Sequence, residues 1–164
     1  AVALSTAEVH SKWRMEIHEL RNIVLINDAY NSSPESAEAA LRTLVLFAQE
    51  RGGQSWAFLG KMHELGESSA DRHADIGTLA SELGIDHLVC IGAPEYSANL
   101  AKSNAMAIHL CANKEAALQL TQEMRAGDVV LVKASRAEKF EEIAQGIQAQ
   151  IALLIAENKE EGER

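Results

Sequence analysis

Five short apolar runs, separated by longer amphipathic stretches, constrain the fold of this chain more than any other feature. The runs cover residues 23–28, 55–60, 87–91, 106–110 and 128–133. A short apolar run without alternation is typical of a strand that is buried on both faces of a parallel sheet. Parallel neighbours require right-handed crossover connections. The sequence therefore predicts an α/β fold with a Rossmann-like, mostly parallel sheet and helices on both faces. Residues 15–17 are predicted to add an edge strand.

The stretches between the apolar runs carry the spacing of helices. The predicted helices cover residues 37–48, 72–83, 95–102, 114–124 and 140–154. Apolar residues recur there every three or four positions, which places them on one helix face. Glycines end the first two segments, as is common at helix carboxyl termini. The connections are therefore helical crossovers, as a parallel sheet requires.

Composition and charge exclude several classes of function. The 164 residues carry a formal net charge of -9 and a pI of about 5.1, so we expect no general attraction for nucleic acid or anionic membranes. No apolar run approaches the length of a membrane span, and residues 1–13 do not form a signal peptide. Two cysteines, Cys90 and Cys111, are too few for a disulfide scaffold and favour a reducing, cytoplasmic location.

The ends of the chain differ from its centre. Residues 1–13 lack an initiating methionine and resemble the tail of an upstream domain or linker. Residues 14–156 are predicted to form one domain, and the charged residues 157–164 are predicted to fray into solvent. We interpret the chain as a fragment of a longer parent, although a processed amino terminus would look the same.

The first polar motif follows the first buried run. It reads Asn27-Asp28-Ala29-Tyr30-Asn31-Ser32-Ser33-Pro34. Ser33 is a good helix N-cap, and Pro34 suits the first helical position. Capping does not account for Asp28, Tyr30 and Asn31, which lie where ligands bind in open α/β sheets, beyond the carboxyl end of a strand. These side chains can hold a ribose hydroxyl or pack on a flat base.

The second motif, residues 59–67, follows the second buried run and includes Gly60, Lys61, His63 and Glu64. Gly60 allows close approach of the backbone to a ligand or to another loop. His63, Glu64 and His73 do not have the spacing of a zinc motif, so we predict no metal site. His73 is interpreted as a packed or capping histidine.

The third motif, residues 128–138, contains the last buried run. Ser135 and Glu138 have the spacing of a capping box, which would begin the last helix. Lys133 and Arg136 are not needed for a cap. Two cations at a helix amino terminus oppose the helix dipole, so they predict an anionic partner, such as a carboxylate or phosphate.

Together these motifs resemble those of the Mur ligases. Asp28–Pro34 is similar to the family's Asp-x-Tyr-Asn-x-x-Pro, residues 59–66 to Leu-Gly-x-Met-x-Glu-Leu-Gly, and residues 128–136 to Asp-Val-Val-Leu-Val-Lys-Gly-Ser-Arg. The residues of these motifs most resemble those in the carboxyl-terminal domain of the MurF branch, whose enzymes add D-Ala-D-Ala to UDP-MurNAc-tripeptide. Two residues depart from the family pattern: Lys61 stands where an acid is frequent, and Ala134 replaces a glycine.

The resemblance implies an ATP-dependent amide-bond ligase whose upstream N-terminal and central domains hold the UDP-sugar peptide, ATP and Mg2+. It implies nucleotide contacts by four residues, Arg14, Asp28, Tyr30 and Asn31. It also implies a catalytic role for Lys133 and contact of Ser135 and Arg136 with the D-Ala-D-Ala carboxylate or the reacting phosphate. The domain alone would be inactive.

The sequence alone leaves two other interpretations open. The domain is shared with folate-glutamate ligases, and a stand-alone Rossmann-like binding module would have the same strand pattern. The chain carries neither Gly-x-x-x-x-Gly-Lys-Ser/Thr nor Gly-x-Gly-x-x-Gly, so it has no phosphate-binding loop and no dinucleotide fingerprint of its own.

Overall fold

A computed structural model describes residues 12–102 and 105–162, and within this range six strands form one sheet. The strands are β1 (Glu16–Leu20), β2 (Ile23–Asp28), β3 (Ser55–Leu59), β4 (His87–Ile91), β5 (Ala107–Cys111) and β6 (Val129–Lys133). The α-helices are α1 (Pro34–Arg51), α2 (Ser69–Glu82), α3 (Lys114–Leu118) and α4 (Glu141–Gly162). Short 3₁₀ turns cover Gly66–Ser68, Pro94–Ser97, Gln119–Glu123 and Arg136–Glu138.

The sheet is parallel except at one edge. Its order is β1-β2-β6-β3-β4-β5, and only β1 runs antiparallel to its neighbour. The predicted fold class is confirmed, and the predicted edge strand is present as β1. The last strand, β6, lies between β2 and β3, so the segment latest in the chain occupies the middle of the sheet.

Each face of the sheet buries its own apolar core, because alternate side chains of a strand point to opposite faces. Val24 and Ile26 of β2 face the core beneath α1 and α2, whereas Ile23 and Leu25 face the core beneath α3 and α4. All residues of β2, β3 and β6 are buried. This double burial explains why these strands appear in the sequence as unbroken apolar runs.

Helix α1 begins and ends as the sequence predicts. The Ser33 hydroxyl accepts a hydrogen bond from the Ser36 amide, the Ser36 side chain bonds back to the Ser33 amide, and Pro34 occupies the first turn. Gly52 ends the helix in the left-handed region, with φ of 70°. The caps place the start of α1 directly beyond the carboxyl end of β2.

Two close approaches fix the loops around the sheet. A Cβ on Gly60 would lie 2.2 Å from the Phe140 ring, and one on Gly77 would lie 1.6 Å from the carbonyl oxygen of Tyr96. The Tyr96 hydroxyl in turn donates to the Gly60 carbonyl at 2.7 Å. Gly60 therefore permits the approach of an aromatic side chain from the start of the last helical segment.

Three helix predictions differ from the structure. Residues 95–102 do not form an α-helix: a 3₁₀ turn covers Pro94–Ser97, because Tyr96 is drawn into the core against α2. The segment 114–124 divides into α3 and a 3₁₀ turn. Helix α4 continues to Gly162 through the charged residues predicted to fray, which are exposed but helical. Residues 1–11, predicted as part of an upstream tail, lie outside the described residues.

None of the helices formed by residues 12–102 and 105–162 combines the length and apolarity needed to cross a membrane.

Candidate functional site

The order of the strands brings all three polar motifs to one edge of the sheet. Asp28 at the end of β2 pairs with Lys133 at the end of β6, and Leu59 at the end of β3 pairs with the same residue. The loops that follow these strands therefore start side by side. Loops at the carboxyl edge of a parallel sheet are the common position of ligand sites.

A buried ion pair joins the first and third motifs. Lys133 Nζ lies 2.6 Å from Asp28 Oδ2 and donates to the Asn31 carbonyl at 2.9 Å. The Met15 amide donates to Asp28 Oδ1 at 3.1 Å. The Lys133 side chain is only 2% exposed. The pair holds the loop after β2 against the end of β6, and it connects that loop to β1.

A first cleft of about 480 Å3 lies beside this ion pair. The Arg14 guanidinium stacks over the Tyr30 ring, with 4.1 Å between its central carbon and the ring centroid. Tyr30 is 39% exposed, so one part of the ring stays open to the cleft. Arg14, Asp28, Tyr30, Asn31 and Lys133 all line this cleft. The four residues predicted to contact a nucleotide are thus close together.

A second cleft of about 740 Å3 lies on the other side of the same loop. Tyr30, Asn31 and Ser33 line both clefts, whereas Ser135 and Arg136 line only the second. The structure thus separates Lys133, which lines the first cleft, from Ser135 and Arg136. Two ligands could lie on opposite sides of one loop.

Ser135 does not act as the predicted helix cap. Its hydroxyl accepts a hydrogen bond from the His63 amide at 2.8 Å and bonds to the Ser32 carbonyl at 3.4 Å, so it joins the loops after β2 and β3. The Glu138 carboxylate, predicted to complete the capping box, pairs with His63 instead. The last helix begins only at Glu141, after a left-handed Lys139. The capping-box prediction was wrong, because tertiary contacts use both side chains.

Arg136 is held by two neighbours that the sequence reasoning overlooked. Its guanidinium stacks over the Trp13 ring at 4.3 Å and donates to Glu141 at 2.8 Å. It begins a three-residue 3₁₀ turn and not the α-helix α4, which starts at Glu141, so the α-helix dipole argument for an anionic partner does not apply. The Trp13 carbonyl accepts from the Tyr30 amide. The contact could have been suspected from the sequence because Trp13, next to Arg14, is one of few aromatic residues in the chain.

His73 is a buried, hydrogen-bonded histidine, which agrees with its interpretation from the sequence as a packed or capping residue. It is 1% exposed, its Nε2 accepts from the Met62 amide at 2.9 Å, and its Nδ1 lies 2.6 Å from the Ser69 carbonyl. The ring therefore joins the loop after β3 to the first turn of α2. Across residues 12–102 and 105–162, no three His, Cys, Asp or Glu side chains are grouped to hold a metal ion.

The structure shows the surroundings of Lys61 and Ala134, the two residues that depart from the family pattern. Lys61 is exposed, and its carbonyl accepts from the Ser135 amide at 3.0 Å. Ala134 is fully buried in the core beneath α3 and α4. The methyl group thus adds to packing at a point where the family has glycine.

Outside the clefts, burial shifts the pKa of several groups. Burial raises the pKa of the Cys90 thiol to about 12 and also raises the pKa of Cys111. His87 and His109 lie at the other edge of the sheet with 3.1 Å between His87 Nδ1 and His109 Nε2. Burial lowers the pKa of both histidines, and the nearby His109 lowers the pKa of His87 further.

The fold and these motifs define a family. The family described as "Mur ligase, glutamate ligase domain" matches residues 13–136. The chain belongs to this family.

Two curated relatives of the chain carry the same enzyme name. UDP-N-acetylmuramoyl-tripeptide--D-alanyl-D-alanine ligase of Mycobacterium tuberculosis (strain CDC 1551 / Oshkosh) is 37% identical over 170 residues, which cover 91% of this chain and 33% of the relative. The enzyme of that name from Bacillus subtilis (strain 168) is 31% identical over 129 residues, covering 75% of this chain and 27% of the relative. The chain thus spans about a third of the length of the curated relatives it matches.

Solved structures show the same similarity. The MurF ligase from Thermotoga maritima in complex with ADP aligns with a TM-score of 0.70 and 27% identity, over 85% of this chain and 31% of that one. A MurF from Acinetobacter baumannii aligns with a TM-score of 0.69 and 27% identity, over the same shares.

Proposed function

We propose that this chain is the carboxyl-terminal domain of an ATP-dependent ligase that joins D-Ala-D-Ala to UDP-MurNAc-tripeptide in peptidoglycan precursor synthesis. In this proposal the upstream N-terminal and central domains belong to the same polypeptide and hold the UDP-sugar peptide, most of ATP, and Mg2+. The enzyme works in the bacterial cytoplasm. The 37% identity to a ligase named for this reaction supports the choice of substrates.

The first cleft is proposed to contact the nucleotide. Its partly exposed Tyr30 ring offers an apolar face to a base, and the stacked Arg14 guanidinium offers a charge to phosphates. Asn31 supplies polar atoms beside them. Asp28 is less free, because both its carboxylate oxygens already accept hydrogen bonds within the chain. Its role in this proposal is therefore to hold Lys133 and the loop.

Lys133 is proposed to act from within this ion pair. Its ammonium group is neutralised by Asp28 and fixed by the Asn31 carbonyl, so it positions the loop that carries Tyr30. It also lines the first cleft beside Arg14. A direct catalytic role for Lys133 stays a prediction.

The second cleft is proposed to receive the incoming dipeptide. Arg136 is 43% exposed there, although Glu141 and Trp13 also contact it. Ser135 shapes the cleft by joining two loops. In the reaction, the amine of the dipeptide attacks an acyl phosphate formed from the tripeptide carboxylate and ATP, and phosphate leaves. The contribution of this domain is to position the amine and to exclude water.

A single observation carries the proposal. Two clefts flank one loop at the carboxyl edge of the sheet and share Tyr30, Asn31 and Ser33. A ligase must hold a phosphoryl donor and an acceptor amine next to each other, and this arrangement offers two adjacent places.

The test uses the full-length polypeptide that carries this chain. Phosphate release from ATP is measured with UDP-MurNAc-tripeptide, with and without D-Ala-D-Ala. We expect release to require the dipeptide. Tyr30→Ala should raise KM for ATP, and Arg136→Ala should raise KM for the dipeptide, each by about tenfold. Arg42→Ala is the matched control, because Arg42 is exposed on α1 and pairs with Glu38.

Two outcomes would contradict the proposal. The first is phosphate release that does not depend on the dipeptide. The second is an unchanged KM for dipeptide and an unchanged kcat in the variant that carries both Lys133→Ala and Arg136→Ala. Nucleotide binding without turnover would instead favour a binding module.

A further inference from the structure

The second cleft contains an arginine that neither the motifs nor the proposed function uses. Arg72 lies in the first turn of α2 and lines the cleft. In the sequence it appeared only as the first residue of the predicted helix 72–83, and the structure shows that it is exposed. It makes no ion pair or side-chain hydrogen bond with another described residue, whereas Arg136 in the same cleft is paired with Glu141.

Arg72 is held in place through its neighbour in the chain. His73 bonds to the Met62 amide and to the Ser69 carbonyl, so the first turn of α2 is fixed against the loop after β3. The backbone from which the exposed Arg72 side chain extends is therefore fixed beside the cleft. Asp71 in the same turn partly offsets the unfavourable interaction of this cation with the helix dipole. The Arg72 guanidinium makes no ion pair with a described residue, so it can still bind an anionic group in the cleft.

The other charges in the cleft indicate what kind of anion. Glu35 in the first turn of α1 and Glu64, which has a φ of 63°, line the same cleft. Neither has an ion pair with a described residue. Two carboxylates would repel a phosphate, which carries up to two negative charges. A small zwitterion fits better, because its carboxylate can face the guanidinium while its ammonium group faces a glutamate.

We propose that Arg72 binds the carboxylate of the incoming dipeptide and that Glu35 and Glu64 face its ammonium end. This inference rests on the proposed function and adds a specificity-determining residue to it. A guanidinium can hold a carboxylate through two parallel hydrogen bonds, which fixes orientation as well as position. The amine is then directed away from Arg72, toward the loop shared with the first cleft.

The experiment compares an acid with an amide. The full-length enzyme and its Arg72→Ala and Arg72→Gln variants are assayed with D-Ala-D-Ala and with the same dipeptide amidated at its carboxyl end. We expect Arg72→Ala to lower kcat/KM for the acid about 10- to 100-fold, the range for a charged hydrogen-bonded contact. With the amidated dipeptide, kcat/KM of Arg72→Ala should differ from that of the unchanged enzyme by less than about twofold, because the amide has no carboxylate for Arg72 to bind.

The remaining variants separate this role from a structural one. Arg72→Lys should recover part of the loss, because it restores the charge but not the paired hydrogen bonds. Arg72→Gln keeps most of the side-chain volume and serves if the alanine variant does not fold. Arg42→Ala should behave like the unchanged enzyme with both dipeptides, and KM for ATP should be unchanged in all variants.

The outcomes distinguish the two proposals. No dipeptide-dependent phosphate release by the unchanged enzyme would overturn the proposed function and, with it, the role of Arg72. Dipeptide-dependent release with equal losses on the acid and the amide would overturn the role of Arg72 alone. A rise in KM for ATP rather than for dipeptide would place the guanidinium on a phosphate and would also overturn it.

Discussion

The buried pair of Lys133 and Asp28 gives the sharpest stability prediction. Lys133→Met removes the ammonium group and leaves the Asp28 carboxylate with only the Met15 amide as a donor. Breaking a buried pair from one side costs about 3–5 kcal/mol, because a charge stays buried without its partner. A domain of this kind has a free energy of unfolding of about 5–15 kcal/mol, so the loss is a large fraction of the total.

Urea denaturation of the 164-residue chain measures this loss. With a denaturant dependence of roughly 2 kcal/mol per molar, the unfolding midpoint of Lys133→Met should fall by about 1.5–2.5 M. The double variant Asp28→Asn with Lys133→Met removes both charges and should recover at least half of the loss. Lys61→Met is the control: Lys61 is exposed, so its replacement should change the free energy by less than about 0.5 kcal/mol. Equal midpoints for Lys133→Met and the unchanged chain would refute the structural role of the pair, and so would a double variant no more stable than the single one.

Three further predictions concern other parts of the molecule. Gly77→Ala should lower the free energy of unfolding by at least about 3 kcal/mol in urea denaturation, because its Cβ would lie 1.6 Å from a backbone oxygen of Tyr96; a midpoint equal to that of the unchanged chain would contradict the packing. The lowered pKa of His87 and His109 means that the unfolded chain binds more protons below about pH 6.5. Stability should therefore fall as the pH drops from 7.5 to 5.5, and a variant with glutamine at both positions should show a shallower fall by thermal unfolding; identical slopes would argue against the shifts. Cys90, with its pKa raised to about 12, should react with a thiol reagent only after unfolding, and later than the half-buried Cys111; mass spectrometry of the labelled peptides would reveal any reversal.

The strands were the most predictable part of the fold. The runs predicted at 23–28 and 87–91 coincide with β2 and β4. The runs at 55–60 and 128–133 differ from β3 and β6 by one residue at one end, and the run at 106–110 is shifted by one residue from β5. A strand buried on both faces leaves a dense apolar signal that needs no knowledge of its neighbours. The order of the strands was not available from this signal, and the position of β6 between β2 and β3 came only from the structure.

The candidate site was predictable where side chains lie at strand ends and not where they depend on distant partners. Asp28, Tyr30 and Asn31 were predicted from their motif and position, Arg14 was predicted from the family resemblance, and all four line one cleft. The capping role predicted for Ser135 and Glu138 was wrong, because local spacing suggests a capping box whereas both side chains contact the loop after β3. Arg72 was missed because helical spacing predicts the helix but does not show which of its exposed side chains line a cleft.

The central place of β6 has a consequence for how the chain is made. Until residues 129–133 have been synthesised, β2 and β3 have no strand between them, and the sheet exists only as two separate halves. Each half then presents an unpaired edge of apolar residues, which is the kind of surface that associates with other chains. Folding during translation must therefore wait for nearly the whole domain to leave the ribosome. Any truncation that ends before Val129 removes the strand that joins the two cleft-forming loops, so it should yield no smaller stable core.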